Sequence, residues 1–442
     1  MSFTDRFSDG LSIVAEKVDD NKYLNSLKNA FTYYLPFILV GSFASLFKSL
    51  ISSEDSGLAR WVPWLANLDD AFTAMNFATM TFMTVPIVFL LGWQLAKRNG
   101  TPEHATAVLA VVSYVSVVPH SVQALLADGT EGGTVSGLGE GALGAQGLFI
   151  GIIWTIAVTE LFHWLLSIDR LRIRMPDSVP PAISQSFNAL IPVLLTLTGS
   201  AVAGLLFQLA TGSALNEWVY EVLQRPLEVV FQSSAGIILM ALFAQLFWFL
   251  GIHGGLVISP IRNPLMASGI AANIAAVNAG GDPTQPLTYG FWVTFIVLGG
   301  AGGTLGLCLV GMVMSRQSDL RAISRIALVP GICGISEPMV FGVPLLLNPL
   351  YAIPFILNAG VSAAIALAAT SIGFIQPNTV DVPFGVPIFI NGFIGFGWQG
   401  VVVQAVILVA TTLTWIPFVK IDDRRAAREA TASEALAQGA AA

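Results

Sequence analysis

Two short stretches carry the residue types that could do chemistry. Gly251-Ile252-His253-Gly254-Gly255 holds one histidine, and Gly334-Ile335-Ser336-Glu337-Pro338 one carboxylate, in runs that are otherwise glycine, proline and aliphatic or small side chains. Both interrupt apolar segments long enough to cross a bilayer. An ionisable group at membrane depth costs about 2.5–3.5 kcal/mol or more, so it marks a site by default. Irregular backbone persists there only where protein or a water-filled cavity satisfies its N–H and C=O groups. His253 and Glu337 therefore point to a polar cavity inside a membrane bundle. The competing reading is a packed Gly/Pro kink with a buried histidine and a glutamate at the cytoplasmic edge.

The other polar residues near these breaks are the amides Asn263, Asn348, Gln376 and Asn378, with the indoles of Trp248 and Trp398. Almost no lysine or arginine accompanies them. Carboxylates and amides hydrogen-bond sugar hydroxyls, and aromatic rings lie against the apolar faces of sugar rings, so the set suits a neutral polyol. Each amide equally suits the satisfaction of a broken helix, and each tryptophan an interfacial anchor. The four histidines, His104, His120, His163 and His253, form no His-x-x-x-His pair, and no Gly-Lys-Ser/Thr phosphate loop occurs. A zinc protease and a nucleotide-driven pump therefore find no support. Cys308 and Cys333 read as packing residues, not as a disulfide framework or metal site. No metal, cofactor or nucleic-acid partner is expected.

These residues must be positioned by membrane helices. The chain is 55% hydrophobic and only 11% charged, against about 25% charged in soluble domains. That composition, with several charge-free runs of about 18 residues or more, predicts an all-α polytopic membrane protein. About ten transmembrane helices are expected, with re-entrant hairpins and amphipathic surface helices. The net charge of −7 reflects topology rather than partners, and no signal peptide is evident.

Residues 1–28 read as a cytoplasmic amphipathic segment, with Phe3, Phe7, Leu11 and Val14 at helical spacing; a membrane-surface helix and a solvated one fit equally. Spans are expected near 29–51, 75–96, 104–119, 146–168 and 187–210 in an N-terminal half, 29–212. The C-terminal half, 213–420, opens with an amphipathic stretch at 213–232. Its spans are expected near 233–251, 255–277, 290–314, 350–372 and 399–419. Pro260 and Pro264 make 255–277 a discontinuous helix, the breakers in 331–349 suit a re-entrant hairpin, and 373–398 reads as half-buried cavity lining. Residues 120–145 read as a Gly-rich loop. The basic loops at 97–103, 169–175 and 316–325 place both termini, including the tail 421–442, in the cytoplasm.

At this point the residues resemble a known family. Gly334-Ile-Ser-Glu-Pro-Met-Val-Phe-Gly-Val-Pro-Leu-Leu-Leu-Asn-Pro349 with Ile353-Pro-Phe355 resembles the signature of the IIC permeases of the bacterial phosphoenolpyruvate-dependent sugar phosphotransferase system, in the lactose/cellobiose (N,N′-diacetylchitobiose) branch. Leu35-Pro-Phe-Ile-Leu-Val-Gly-Ser42, Trp248-Phe-Leu-Gly-Ile-His-Gly254 and Trp415-Ile-Pro-Phe-Val-Lys420 extend the resemblance over about residues 10–420. The resemblance implies a ten-helix homodimer in the bacterial inner membrane. Its first half would form the dimer interface, and its second half would bind sugar and move across the bilayer as a body. It also implies that His253 and Glu337 meet the sugar near its C6 hydroxyl, where a phosphocysteine on a separate IIB protein, supplied by enzyme I, HPr and IIA, phosphorylates it. Glu337, or a neutral His253, could then take the hydroxyl proton. The tail after the last span is too short for a IIB or IIA domain, so that partner is expected on another chain.

One stretch departs from the branch. Residues 381–387 read Asp-Val-Pro-Phe-Gly-Val-Pro where Pro-Trp-Thr-x-Pro is usual. The first reading is a permease importing a β-linked disaccharide such as cellobiose, diacetylchitobiose or lactose with coupled 6-phosphorylation. A proton-coupled secondary transporter using His253 and Glu337 as a relay, or a membrane transferase acting on a lipid-linked sugar, would share the same residues.

Overall fold

Helices start where the sequence supplies a cap and stop where glycine or proline removes one. In the computed structural model, which describes residues 21–54, 57–125, 131–171, 173, 176, 180–343 and 345–440, the Asn21 side chain accepts from the Tyr23 and Leu24 amides at 3.0 and 3.1 Å. This N-cap starts α1, Lys22–Phe47, several residues before the expected first span. Residues 1–20, and with them most of the expected amphipathic segment, lie outside the described residues.

The chain divides into two units. One joins the described residues up to 229 with 260–272; the other joins 230–259 with 273–440. In the first unit, α2, Thr84–Asn99, stops at Gly100 in the left-handed region. It is followed by α3, Glu103–Val117, α4, Leu148–Ser167, and α5, Pro181–Thr211, which carries proline at its tolerant first turn. Val88, Ala110, Tyr114, Ile150 and Val219 share a buried cluster. The Tyr114 hydroxyl donates to the Ala142 carbonyl, and Gln224 donates to the Ala145 carbonyl at 3.0 Å. Through Val219 and Gln224 the amphipathic stretch at 213–229 belongs with this unit.

The fold is not wholly α. Within the expected Gly-rich loop, β1, Ser121–Leu125, and β2, Glu131–Ser136, pair antiparallel in the register Ser121↔Ser136. Val122 faces Val135 directly, the cross-strand β-branched pairing that favours a hairpin over open loop.

In the second unit, Ser233 caps α6, Ser234–Phe249, and α7, Ser259–Asn278, follows after a one-turn helix, Gly254–Val257. The segment is broken, but at Ile258 and not at the expected prolines: Pro260 sits in the tolerant first turn of α7, and Pro264 lies inside the continuous helix. Next come Tyr289–Ile296, a glycine break at Gly299–Gly303, and α8, Thr304–Val313. Then follow α9, Ser318–Ile332, the short α10, Glu337–Gly342, and α11, Ala352–Ser371. The core holds Leu307, Cys308, Met339, Val340, Phe355 and Trp415.

Residues 373–389 have no regular structure, but α12, Ile390–Ala440, begins inside the stretch 373–398 read as half-buried cavity lining. Gly397 (φ 67°, ψ −163°) breaks it. A Cβ on Gly400 would stand 2.5 Å from the Gly392 carbonyl oxygen, although eight residues of straight helix span about 12 Å. The chain therefore reverses at Gly397. Gln404 makes this possible, accepting from Phe389 N–H at 2.8 Å and donating to Asn391 Oδ1 and the Thr294 carbonyl.

Six described helical segments are long and apolar enough to cross a membrane: Lys22–Ser52, Ala145–Ser167, Phe187–Thr211, Tyr289–Val313, Ala352–Ser371 and Ile390–Arg428. Two bent pairs, Pro63–Thr81 with Thr84–Asn99 and Leu215–Gln232 with Ser234–Phe249, raise the number to eight. The expected spans near 104–119 and 255–277 fall on α3, apolar but 15 residues long, and on α7, and neither is among these segments.

Candidate functional site

Helix α6 ends because Gly251 takes φ 86°, which an L side chain rarely adopts. The chain then doubles back, and Gly254 lies against the Ala244 carbonyl so closely that no Cβ fits. His253 sits in this reversal as the N-cap of Gly254–Val257, its Nδ1 accepting from the Leu256 amide at 3.2 Å. With Nδ1 an acceptor, the neutral ring carries its hydrogen on Nε2, the nitrogen that can donate to a ligand. The Trp248 ring lies against the imidazole, centroids 4.4 Å apart and planes at 47°.

Glu337 is the first residue of α10, followed by Pro338 at the tolerant N-terminal position. Its side chain is exposed, as is that of His253. The preceding Ser336 is buried against Gly300, where a Cβ would stand 2.7 Å from Ser336 Cβ. Close approach of two backbones needs glycine at that position.

The two stretches converge on one core. Trp248, Phe249 and Leu346 pack on the cluster containing Met339, Val340 and Leu345. Leu347, at φ 54°, donates its amide to the Phe249 carbonyl at 2.9 Å. A third segment joins them: the Ile388 amide donates to the Ile332 carbonyl at 2.9 Å. The crevice between Cys333-Gly334 and Pro383–Ile388 has room for about one water, 10 Å³, so it does not itself hold a sugar ring.

The remaining expected ligands fare differently. The Asn348 side chain accepts from the Leu350 amide at 3.1 Å and shapes the turn into α11. Trp398 is exposed and stands edge-on to Phe374, centroids 5.8 Å apart. Gln376 is exposed on the 373–389 connection. Asn263 lies on the 260–272 stretch of α7, in the other unit, and accepts from Arg262 at 3.3 Å.

Asn378 is not presented to an open site. It is 3% exposed, its oxygen accepts from the Thr288 hydroxyl, and its nitrogen donates to the Val380 carbonyl and Asp381 Oδ1. Both ends of the amide are spent on structure. Asn273 and Thr288, partners in this network, lie beyond what the sequence reading singled out. An asparagine between apolar residues carries no signal of whether it turns to a cavity or to backbone.

Comparisons with known proteins identify the family. The family model described as phosphotransferase system, EIIC, matches residues 28–359. The PTS system oligo-beta-mannoside-specific EIIC component of Bacillus subtilis (strain 168) is 29% identical over 423 residues, covering 95% of this chain and 94% of the relative. The PTS system cellobiose-specific EIIC component of Geobacillus stearothermophilus is 29% identical, covering 99% and 98%. A PTS system lactose-specific EIICB component of Lacticaseibacillus casei is 27% identical, covering 96% of this chain and 72% of that longer relative. Among solved structures, the transporter ChbC, the IIC component from the N,N′-diacetylchitobiose-specific phosphotransferase system, superposes with a TM-score of 0.88 at 28% identity, over 95% of this chain and 98% of the other.

Proposed function

Because the chain belongs to the EIIC family of the phosphotransferase system, the sugar-specific membrane permeases, we propose that it imports a β-linked disaccharide and presents it for phosphorylation at its 6-hydroxyl. The observation that carries this is the seating of Trp248, His253 and the Glu337 helix on one core within one unit. A tilted indole gives a platform for a sugar ring, a neutral imidazole a donor, and an exposed carboxylate an acceptor for a hydroxyl. The substrate names of the relatives, cellobiose, lactose and oligo-β-mannoside, together with diacetylchitobiose, support the β-linked class.

In this reading the sugar lies against Trp248, with its 6-hydroxyl between His253 Nε2–H and Glu337, and Asn348, Gln376 and Trp398 contribute from the flanking turns. Phosphoryl transfer needs the accepting oxygen positioned and its proton removed. Glu337 takes that proton, and the donor is a phosphocysteine on a separate IIB protein, recharged by enzyme I, HPr and IIA. The product is a dianion beside a carboxylate, which favours release. The unit built from 230–259 and 273–420 carries the sugar across as a body, while the unit that holds 29–229 anchors a homodimer in the bacterial inner membrane with both termini in the cytoplasm.

The test is uptake of radiolabelled cellobiose, lactose and diacetylchitobiose into vesicles, with and without phosphoenolpyruvate and cytoplasmic extract. Accumulation as the 6-phosphate only when both are present, lost in Glu337→Gln, is the expected result. Accumulation of free sugar on a proton gradient alone would instead establish the proton-coupled transporter.

A further inference from the structure

The connection between α11 and α12 is held by one carboxyl group that the transport chemistry above does not use. Asp381 is fully buried. Its Oδ1 accepts from the Gly290 amide at 2.6 Å and from Asn378 Nδ2 at 3.1 Å. Its Oδ2, also buried, has no hydrogen-bond partner among the described residues. Asn273 donates to the Asn378 and Gln285 carbonyls at 3.0 and 2.8 Å, and Thr288 donates to Asn378 Oδ1. A Cβ on Gly290 would stand 2.8 Å from Asp381 Oδ1, so the carboxyl rests directly on that backbone. Asp381 thus belongs to a network that joins three segments: the C-terminal part of α7 through Asn273, the start of Tyr289–Phe291, and residues 376–382 of the connection.

We propose that Asp381 is a proton-binding residue whose protonated carboxyl fixes the α11–α12 connection, making sugar binding sensitive to pH. The proposal rests on the permease reading for its effect on sugar, but not for the proton itself. A buried carboxylate with one bare oxygen is costly unless a cation faces it or a proton neutralises it. The elements packed on it offer Thr284, Gln285, Thr288 and Tyr289 from the loop before Phe291, and Asn273 from α7. Gln376 and Asn378 come from the connection, and Asn391 from the start of α12. Among these described residues none is a cation; the titratable groups on that loop are Tyr289 and Asp282, and Asp282 is exposed. Burial pushes the carboxyl up to about 6, and the residue lies outside the six membrane-crossing segments.

The consequence reaches the candidate site through the same connection. Two residues beyond Asp381, Pro383 and Phe384 begin the wall facing Cys333-Gly334, and the Ile388 amide binds the Ile332 carbonyl. Protonated, Asp381 holds this wall beside the Glu337 loop. A raised folded-state value means the ordering is complete at low pH and is lost as pH rises through about 6. Asp381 acts by positioning; it does not touch the sugar.

The experiment has two arms on the purified full-length protein. Infrared difference spectroscopy across about pH 5 to 8 follows the protonated carboxyl band of the wild type and of Asp381→Asn. A band that is lost on raising the pH and is absent from Asp381→Asn is expected; identical spectra from the two proteins overturn the proposal. Equilibrium binding of radiolabelled diacetylchitobiose and cellobiose over the same range forms the second arm. Wild-type affinity is expected to fall about threefold or more, while Asp381→Asn, which mimics the protonated acid, loses most of that dependence. Parallel pH profiles overturn the coupling to sugar. Absence of sugar binding at every pH would instead count against the permease reading, and the infrared arm would still decide the proton site. That arm decides on the wild-type band alone should the variant not fold.

Discussion

The Trp248 indole lies 4.4 Å from the His253 imidazole, tilted by 47°, so the ring that would stack on a sugar also limits how the histidine can turn. Tilted aromatic pairs contribute about 0.5–1.5 kcal/mol beyond burial. Trp248→Ala removes both the platform and this restraint, and is expected to weaken sugar affinity about tenfold. Trp248→Phe keeps a ring and should stay within about threefold. Equilibrium dialysis with radiolabelled sugar checks both. Undiminished affinity in Trp248→Ala would remove Trp248 from the site.

Glu337 is exposed at the start of a short helix, so Glu337→Gln alters charge with little call on packing. A general base contributes about 10²–10⁴-fold. Phosphorylation of bound sugar by a phosphorylated IIB protein is expected to slow by about that factor, with sugar affinity within about tenfold because the amide still hydrogen-bonds. Single-turnover transfer and direct binding, measured on the same preparation, separate the two effects. Equal loss in both would make Glu337 a binding residue only.

Much of this was legible in the chain before any coordinates. The Gly-Ile-His-Gly and Gly-Ile-Ser-Glu-Pro stretches stand out because ionisable residues between glycines and aliphatic side chains are costly at depth. The family follows from the same stretches. What was not legible depends on distant partners. Asn378 reads like any other amide beside a proline, yet its oxygen and nitrogen are consumed by Thr288, Val380 and Asp381. The reversal at Gly397 depends on Gln404 reaching back to Phe389 and Asn391, and no local propensity announces it. The hairpin at 121–136 lies in a stretch whose glycines mask its alternation.

A second polar cluster ties the far end of the same unit. The Tyr351 hydroxyl and Gln317 Nε2 donate to Asp422 at 2.8 and 2.9 Å, while the Ser315 hydroxyl and Arg316 amide donate to Asp423 at 2.8 and 2.9 Å. Tyr351 is 1% exposed. Tyr351→Phe removes one charge-assisted bond, about 1.5–3 kcal/mol, whereas Asp422→Ala also leaves the buried hydroxyl without its carboxylate. Thermal unfolding in detergent is expected to show the larger fall in midpoint for Asp422→Ala. The reverse order would mean that the tyrosine hydroxyl finds another acceptor.

Gly300 gives the sharpest test of how the Glu337 loop is held. It adopts φ 95°, and a Cβ there would stand 2.7 Å from Ser336 Cβ and 3.1 Å from Ser336 Cα. Gly385 has nearly the same φ, 92°, but nothing within 4 Å of a built Cβ. Alanine at either position meets backbone strain of about 1–2 kcal/mol. Only at Gly300 does it also push on the residue preceding Glu337, adding about 1–3 kcal/mol of overpacking. Gly300→Ala is therefore expected to lower both thermal stability and sugar affinity more than Gly385→Ala does. Sugar affinity retained in Gly300→Ala at a lowered unfolding midpoint would mean that the loop carrying Glu337 can shift without disturbing the site, and would weaken the case that its position matters for binding.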